Sequence, residues 1–566
     1  MKKRAAFWIA AIALLIGVNI LAALLHARFD LTQEKRYSLS KPTRKLLRGL
    51  DSTVTIDVFV EGNELPAVVR KFRNAVQDFL AESKEYGGAN LRYNFINPYT
   101  GADTAAVRQV EDSLYSNYGL FPVVMNAPEK VGDKMEVSKI IHGAVIHYRD
   151  RSVGVDLLKG ARQFGTETEQ LAALYNNVEA SIEYKMASAI EKLTAKQKPV
   201  VAYALGNGET FGYNINDAFI TLQENYRSDT FNIREAPVIP TEINALVILK
   251  PTVPFTDADK MKIDQYVMHG GTVFWMIDNM YAEFDSLYKS QGFIAFDRGL
   301  NLEDILFNYG ARIDQALVQD MQCDKLPQVS GQGDQQRLVD WPFFPILNGT
   351  DHPISKNLDG IRALFPTRLD TVQADGISKI VLLQTGNNTR LLPAPARIDF
   401  EFLQIAPDAQ EFRQRNQAIA LLLEGRFRSL YRGRIPGAVR DTFAQYGQPV
   451  LESASAPGKM IVVADGDIAQ NQFSSSMGPL PMGMNVFTRY TYANKDFFTN
   501  SLEYLVNPSD ILQTRAKEYS LRLLDPRRAT DEKARWQAIN IVVPIVLIVL
   551  FGLAYQQWRK RRYARA

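Results

Sequence analysis

The chain has 566 residues, enough for several domains rather than one core. With 65 lysines and arginines against 62 aspartates and glutamates, its net charge of +3 lends no support to a nucleic-acid partner, and no basic patch interleaved with aromatics stands out in mid-chain. The 46% hydrophobic and 22% charged content exclude extended disorder, and the single cysteine, Cys323, excludes an intramolecular disulfide or a cysteine-based metal cluster.

After Met1-Lys2-Lys3-Arg4, residues 7–25 carry no charge and one strongly polar side chain, Asn19. As a helix this run is about 28 Å long, close to the ~30 Å hydrocarbon thickness of a bilayer. A cleaved signal peptide has a shorter apolar stretch that ends at a small-x-small site. Leu25-His26-Ala27-Arg28 is a poor match to that site, so residues 1–28 read as an uncleaved transmembrane anchor.

Ser40, Pro42 and Gly49 predict a short helix with its N-cap, first turn and stop in place. Residues 54–60 read as a strand. Val69, Phe72, Val76, Phe79 and Leu80 mark one helix face, and residues 91–96 alternate like a second strand. With residues 123–125 and 143–146 as later strands, residues 29–160 form a small α/β domain.

A helix carrying Val178, Ile182, Met186 and Ile190 leads into a central domain, residues 161–320. There Val200–Leu205 is an apolar strand followed by Gly206-Asn207-Gly208-Glu209, and Ala245–Leu249 is another strand. Asp257–Met268 is a helix closed by Gly270-Gly271, residues 272–278 are a strand, and residues 301–310 are a helix ending in glycine. Near-continuous apolar strands separated by helices predict a parallel sheet covered on both faces.

The stretch from about 322 to 337 is polar and glutamine-rich, which predicts a loop within a continuation of the α/β body, residues 321–510. Residues 380–385 and 459–465 read as late strands, and residues 494–505 as a helix packed on them. Whether they extend the same sheet stays open. Residues 511–536 are a charged helical stalk.

The last segment, residues 537–566, holds a second apolar run bracketed by Trp536 and Trp558, residues that seek the water–lipid boundary. Pro544 is tolerated there because membrane helices accommodate proline. Lys2, Lys3 and Arg4 abut the first run, and Arg559, Lys560, Arg561, Arg562 and Arg565 follow the second. The positive-inside rule then places both termini in the cytoplasm and the body outside it. The inner flanks are nearly as basic, with Arg28, Lys35 and Arg36 on one side and Arg527, Arg528, Lys533 and Arg535 on the other.

Four passages occur in a familiar order: Tyr37-Ser38-Leu39-Ser40, Gly206-Asn207-Gly208-Glu209, the helix–Gly270-Gly271–strand unit, and Val462-Val463-Ala464-Asp465-Gly466-Asp467. Through them the chain resembles, along essentially its whole length, the GldG family of gliding-motility-associated ABC-transporter auxiliary proteins of Bacteroidetes. That family's first glycine motif usually reads Gly-His-Gly-Glu. Asn207 stands in the histidine's place here, which weakens any chemical role for the position.

The resemblance implies tandem α/β domains, a small thioredoxin-like one and then an amidotransferase-like or flavodoxin-like parallel sheet, between two terminal transmembrane helices. It implies a two-pass protein of the cell inner membrane with its body in the periplasm. It also implies an ABC ATPase and a multi-span permease as partners, beside the lipid bilayer, and a link to gliding motility.

The residues themselves offer little chemistry. Gly458-Lys459-Met460 lacks the spacing and the hydroxyl of a phosphate-binding loop, so energy must come from a partner. An amidotransferase-like hydrolase needs a cysteine activated by histidine. Cys323 lies in the predicted loop, and His26, His142, His147, His269 and His352 show no matching arrangement. His142 and His147, five apart, fall on opposite faces of a strand. Asp465 and Asp467 flank Gly466 as turn formers, with cation binding as the alternative.

These patterns predict no catalytic residue, no metal and no cofactor. The candidate ligand or partner loop is Gly206, Asn207, Gly208 and Glu209 with Asp278, at strand ends where open α/β sheets hold ligands. Glycines there let a backbone approach a bound group closely, although a tight loop without ligand needs the same residues. The expected function is a binding subunit of an ABC transporter complex. The alternatives are a receptor for an envelope glycan or peptide and a degenerate amidotransferase-like hydrolase.

Overall fold

The computed structural model describes residues 14–17, 38–62, 65–100, 104–126, 137–158, 168–290, 292–329, 336–400, 408–507, 511–516 and 532–563. Of the expected N-terminal anchor only residues 14–17 are among them, helical and exposed, and most of the expected stalk lies outside them. The chain divides into two compact units, Met1–Lys517 and Glu518–Ala566.

In the first unit Ser40 Oγ accepts the Thr43 amide at 3.3 Å and caps the helix Lys41–Arg48. The residues before that helix are fixed by buried acids: the Leu39 amide donates to Glu82 at 2.8 Å and the Ser40 amide to Glu183 at 2.7 Å. Strand Val54–Val58 alternates buried and half-buried side chains. It runs parallel to Leu91–Phe95 and antiparallel to Gly143–Tyr148, which pairs in turn with Arg151–Asp156. Val69, Phe72, Val76 and Leu80 of helix Ala67–Gly87 share this sheet's core with Val178, Ile182, Met186 and Ile190 of helix Thr168–Thr194. The helix expected to lead into the central domain thus buries its apolar face in the first core.

The large sheet begins with five parallel strands in the spatial order Arg227–Asn232, Val200–Leu205, Ala245–Leu249, Thr272–Met276, Gly458–Val463. It continues with Ala418–Gly425, Ile377–Gln384, Gln336–Gly349 and Cys323–Val329, each antiparallel to its neighbour. The parallel sheet expected of the central strands is present, and the question left open for the late strands is answered: they extend the same sheet, Gly458–Val463 parallel to its neighbour Thr272–Met276 and the others antiparallel.

Side-chain alternation builds a core on each face. Phe274 and Met276 pack with Phe497, Phe498 and Leu502 of helix Asn494–Val506. Val273 and Trp275 pack with Ile263, Tyr266 and Val267 of helix Asp257–Met268. A capping box of Thr256 and Asp259 starts that helix, with bonds of 3.2 and 3.0 Å. Gly271 is required after it, since a Cβ there would sit 2.3 Å from the Tyr266 ring.

The predicted glutamine-rich loop is also corrected. Cys323–Val329 and Gln336–Gly349 form an antiparallel hairpin, while residues 330–335 lie outside the described set. Its alternation is hidden in sequence because one inward residue is charged. Asp324 is buried, paired with Arg362 at 2.5 Å and bonded by Asn485 at 2.7 Å and Tyr492 at 2.9 Å.

The second unit contains one described helix, Lys533–Tyr563, with Pro544 inside it. Its stretch Lys533–Arg562 is long and apolar enough to cross a membrane, and none of its most apolar window is buried.

Candidate functional site

Parallel strands bring their C-terminal ends to one edge, and the residues just past three of them meet there. Lys250 follows Ala245–Leu249, Asp278 follows Thr272–Met276, and Asp465 and Asp467 follow Gly458–Val463. The Lys250 ammonium lies 2.6 Å from Asp467, 3.0 Å from Asp278 and 3.1 Å from Glu283. Arg298 pairs with the other oxygen of Glu283. Close backbone packing places the lysine: its φ is +47°, and a Cβ on Gly466 would come within 2.7 Å of the Lys250 Cβ.

Asp465 is fully buried. One of its oxygens accepts the Asp467 amide at 2.7 Å and the other the Leu364 amide at 2.8 Å. It forms the turn expected of an aspartate beside glycine. The Gly466 amide donates to Asp278.

The electrostatics follow from crowding out of water. Burial raises Asp465 well above the usual carboxylate range, and Asp278 and Asp467 add to this. Burial likewise pushes Asp467 up to about 7, with Lys250 opposing and Asp278 and Glu283 assisting. Burial alone would lower Lys250, but Asp278, Asp467 and Glu283 outweigh it and hold the ammonium well above its ordinary value. Oxygens of Asp278, Asp465 and Asp467 lie within 4.8 Å of one another, a spacing that suits a cation. The lysine ammonium already supplies that charge, so the donor set is compensated from within.

The loop Gly206-Asn207-Gly208-Glu209 lies at the end of the next strand. The Asn207 carbonyl accepts the amides of Thr252 at 3.0 Å and Val253 at 2.9 Å, just past Lys250. Gly206 and Gly208 hold φ of +120° and +73°, and a Cβ on Gly208 would meet the Thr252 hydroxyl at 2.3 Å. Glu209 turns back to accept the Asn207 amide at 2.7 Å. Burial raises its pKa, while the Glu209 and Asn207 amides partly offset this. Asn207 Oδ1 and Glu209 Oε1 are buried and have no hydrogen-bond partner. Gln470 donates to Thr210 at 3.1 Å, joining this loop to the turn that carries Asp467.

Of the residues singled out in sequence, Asp278, Asp465 and Asp467 come together around the lysine and the glycine loop packs beside them. Lys250, Glu283 and Arg298 were missed. Lys250 had a readable signal: like Asp278 and Asp465, it closely follows an apolar strand, and such positions converge when strands run parallel.

Cys323 shows no nucleophile's environment. Burial, with Asp340, Asp320 and Asp324 nearby, pushes its thiol up to about 12. The described histidines are engaged elsewhere. His142 is buried against Tyr175 at 2.6 Å, and His147 faces Asp57 at 3.4 Å on the more exposed side, as strand alternation requires. His269 bonds the Pro449 carbonyl at 2.9 Å, and His352 packs edge-on against Tyr504.

The mixed α/β body is followed in the chain by a helix long and apolar enough to cross a membrane. The chain belongs to the auxiliary family described as ABC-type uncharacterized transport system, matched over residues 198–501, which cover the large sheet. It is accordingly an accessory subunit associated with an ABC transporter. Residues 33–147 match a domain of unknown function, DUF7088.

Two solved structures are similar in part. One is titled mmIFT52 N-terminal domain, with 12% identity over 54% of this chain and 97% of that one, at a TM-score of 0.31. The other is exo-beta-1,4-mannosidase Op5Man5 from Opitutaceae bacterium strain TAV5, with 10% identity over 60% of this chain and 38% of that one, at 0.20. Likenesses this loose carry no functional argument. None of the curated proteins matches the chain.

Proposed function

We propose that the chain is a GldG-like auxiliary subunit, anchored at both ends in the inner membrane with its body in the periplasm, that binds an ABC ATPase–permease complex and catalyses nothing itself. The carrying observation is the exposed apolar helix Lys533–Tyr563 on a chain of a transport-system family. A helix apolar on all sides needs lipid or other membrane helices around it. The compensated cluster around Lys250 supports a structural role for the strand ends.

In this reading the first sheet is a thioredoxin-like domain, supported by its parallel pair followed by an antiparallel pair and a helix. The large sheet is an amidotransferase-like relative whose catalytic cysteine is absent. A link to gliding motility completes the proposal. Purification from native membranes in mild detergent should bring down an ATPase and a multi-span permease. Recovery of the chain alone under several detergents would overturn it.

A second reading is favoured by the orphaned acceptors Asn207 Oδ1 and Glu209 Oε1, since buried polar atoms normally find partners. They suit a donor-rich ligand such as an envelope glycan or peptide. A thermal-shift screen with envelope components tests it, and a shift unchanged by Glu209→Ala would remove this loop from consideration.

A further inference from the structure

Between strand Ala418–Gly425 and helix Gly437–Gln445 the chain reads Arg426-Phe427-Arg428-Ser429-Leu430-Tyr431-Arg432-Gly433-Arg434-Ile435-Pro436. With Arg440 in the following helix, five arginines fall in fifteen residues without an intervening carboxylate. All five are exposed. Among the described residues, Arg428 reaches Asp375 at 3.3 Å and Arg434 donates to the Leu430 carbonyl at 2.6 Å, while Arg426, Arg432 and Arg440 form no ion pair.

The segment is held rigidly from beneath. Phe427, Ser429 and Ile435 are buried between the arginines. Ser429 Oγ donates to the buried Asp264 at 2.6 Å and the Leu430 amide to its other oxygen at 2.9 Å. The Ala454 amide bonds the Phe427 carbonyl at 2.8 Å, and the Ser429 amide bonds the Glu452 carbonyl at 3.0 Å. Residues that alternate inward as anchors leave the guanidinium groups facing outward from a fixed frame. The segment interleaves arginines with Phe427 and Tyr431, a pattern missed in the sequence, and in the fold Phe427 belongs to the core.

We propose that this arginine loop docks on anionic phospholipid headgroups of the membrane that anchors the chain. An exposed guanidinium without a carboxylate partner is weakly hydrated and so gives up its water readily to an anion, and its planar fork matches phosphate oxygens in pairs. The negative surface potential of an anionic bilayer attracts every basic side chain close to it, so a cluster acts together. A chain that already carries a membrane-crossing helix meets that surface at high effective concentration. The inference rests on membrane association alone, and not on which transporter is the partner or which side the body occupies.

The test is hydrogen exchange of residues 426–440 in the full chain, reconstituted in nanodiscs of phosphatidylcholine alone or mixed with phosphatidylglycerol. Exchange should slow several-fold in the anionic discs, and raised salt should reverse the effect. The variant Arg426→Gln/Arg432→Gln/Arg440→Gln should lose the slowing while strand Gly458–Val463 keeps its protection, which shows that the variant is folded. Equal exchange in both lipids would overturn the proposal. So would slowing that appears only with a co-purified transporter, whatever the lipid, because that outcome identifies an acidic protein surface instead.

Discussion

Lys250 Nζ lies 2.6 Å from Asp467 Oδ1, and the two residues are 217 positions apart in the chain. Their side chains keep only 6% and 12% of their exposure, so water does little to solvate either charge. The pair is a junction: it ties the ends of two parallel strands that have Thr272–Met276 between them.

Removing the ammonium should therefore be costly. Lys250→Met leaves Asp278, Glu283 and Asp467 facing one another, and breaking a buried pair from one side costs about 3–5 kcal/mol. Denaturant unfolding of the detergent-solubilised chain should show a loss of that order. The double variant Lys250→Met/Asp467→Asn should recover part of it, because one repulsive charge is gone. A loss no larger in Lys250→Met than in the double variant would contradict the charge-compensation argument.

The same cluster sets a pH dependence with a definite sign. Asp467 titrates at about 7 in the fold against an ordinary value of 3.8, so the folded chain holds a proton that the unfolded chain has released. Its stabilising contribution is full below pH 3.8 and fades as pH rises through 7. Asp465 shifts in the same direction, whereas Lys250, raised above its ordinary value, stays charged throughout this window. Stability measured from pH 4 to 7 should fall less steeply in Asp467→Asn than in the parent chain. Parallel profiles would contradict the assignment.

Gly208 sits at φ +73° with the Thr252 hydroxyl where a Cβ would be. Alanine there meets both a backbone penalty and a steric one, and such strained positions cost about 1–3 kcal/mol. Gly208→Ala should lower the unfolding midpoint accordingly. Gly433→Ala, also at positive φ but with open space around its Cβ, should cost less. Equal losses would mean that backbone strain alone governs both sites.

Local signals made part of this architecture readable. Helix Asp257–Met268 announced itself through its length and Gly270-Gly271, and the strands Val200–Leu205 and Ala245–Leu249 through unbroken apolar runs. What stayed hidden depended on charges placed where apolar residues are expected. Asp324 on an inward strand position disguised the hairpin as a loop, because its compensation by Arg362, Asn485 and Tyr492 comes from distant parts of the chain. Asp278 was singled out for its strand end, yet its partner Lys250 became visible only when the parallel strands were laid side by side. The sequence therefore located the edge of the sheet but not the charge balance along it.

Cys323 should behave as an inert thiol. At about 12 its pKa leaves almost no thiolate at pH 8, and the thiolate is the reactive form. Alkylation by iodoacetamide should be negligible in the native chain and rapid once it is denatured. Fast native labelling would reopen the hydrolase alternative.

The proposed two-pass arrangement has a sharp consequence for truncation. Residues 7–25 are apolar and uncharged, so if they form an anchor, the chain has a second hold on the bilayer independent of Lys533–Tyr563. Transfer of such a run out of lipid is strongly unfavourable, because about twenty apolar side chains would be exposed to water at once. A chain ending at residue 531 should therefore remain in the membrane pellet after an alkaline carbonate wash, just as the full chain does. Deleting residues 1–28 as well should release the body into the supernatant. Release by the first truncation alone would show that the C-terminal helix is the sole anchor, and both ends could then no longer be assigned to the same side of the membrane on their basic flanks.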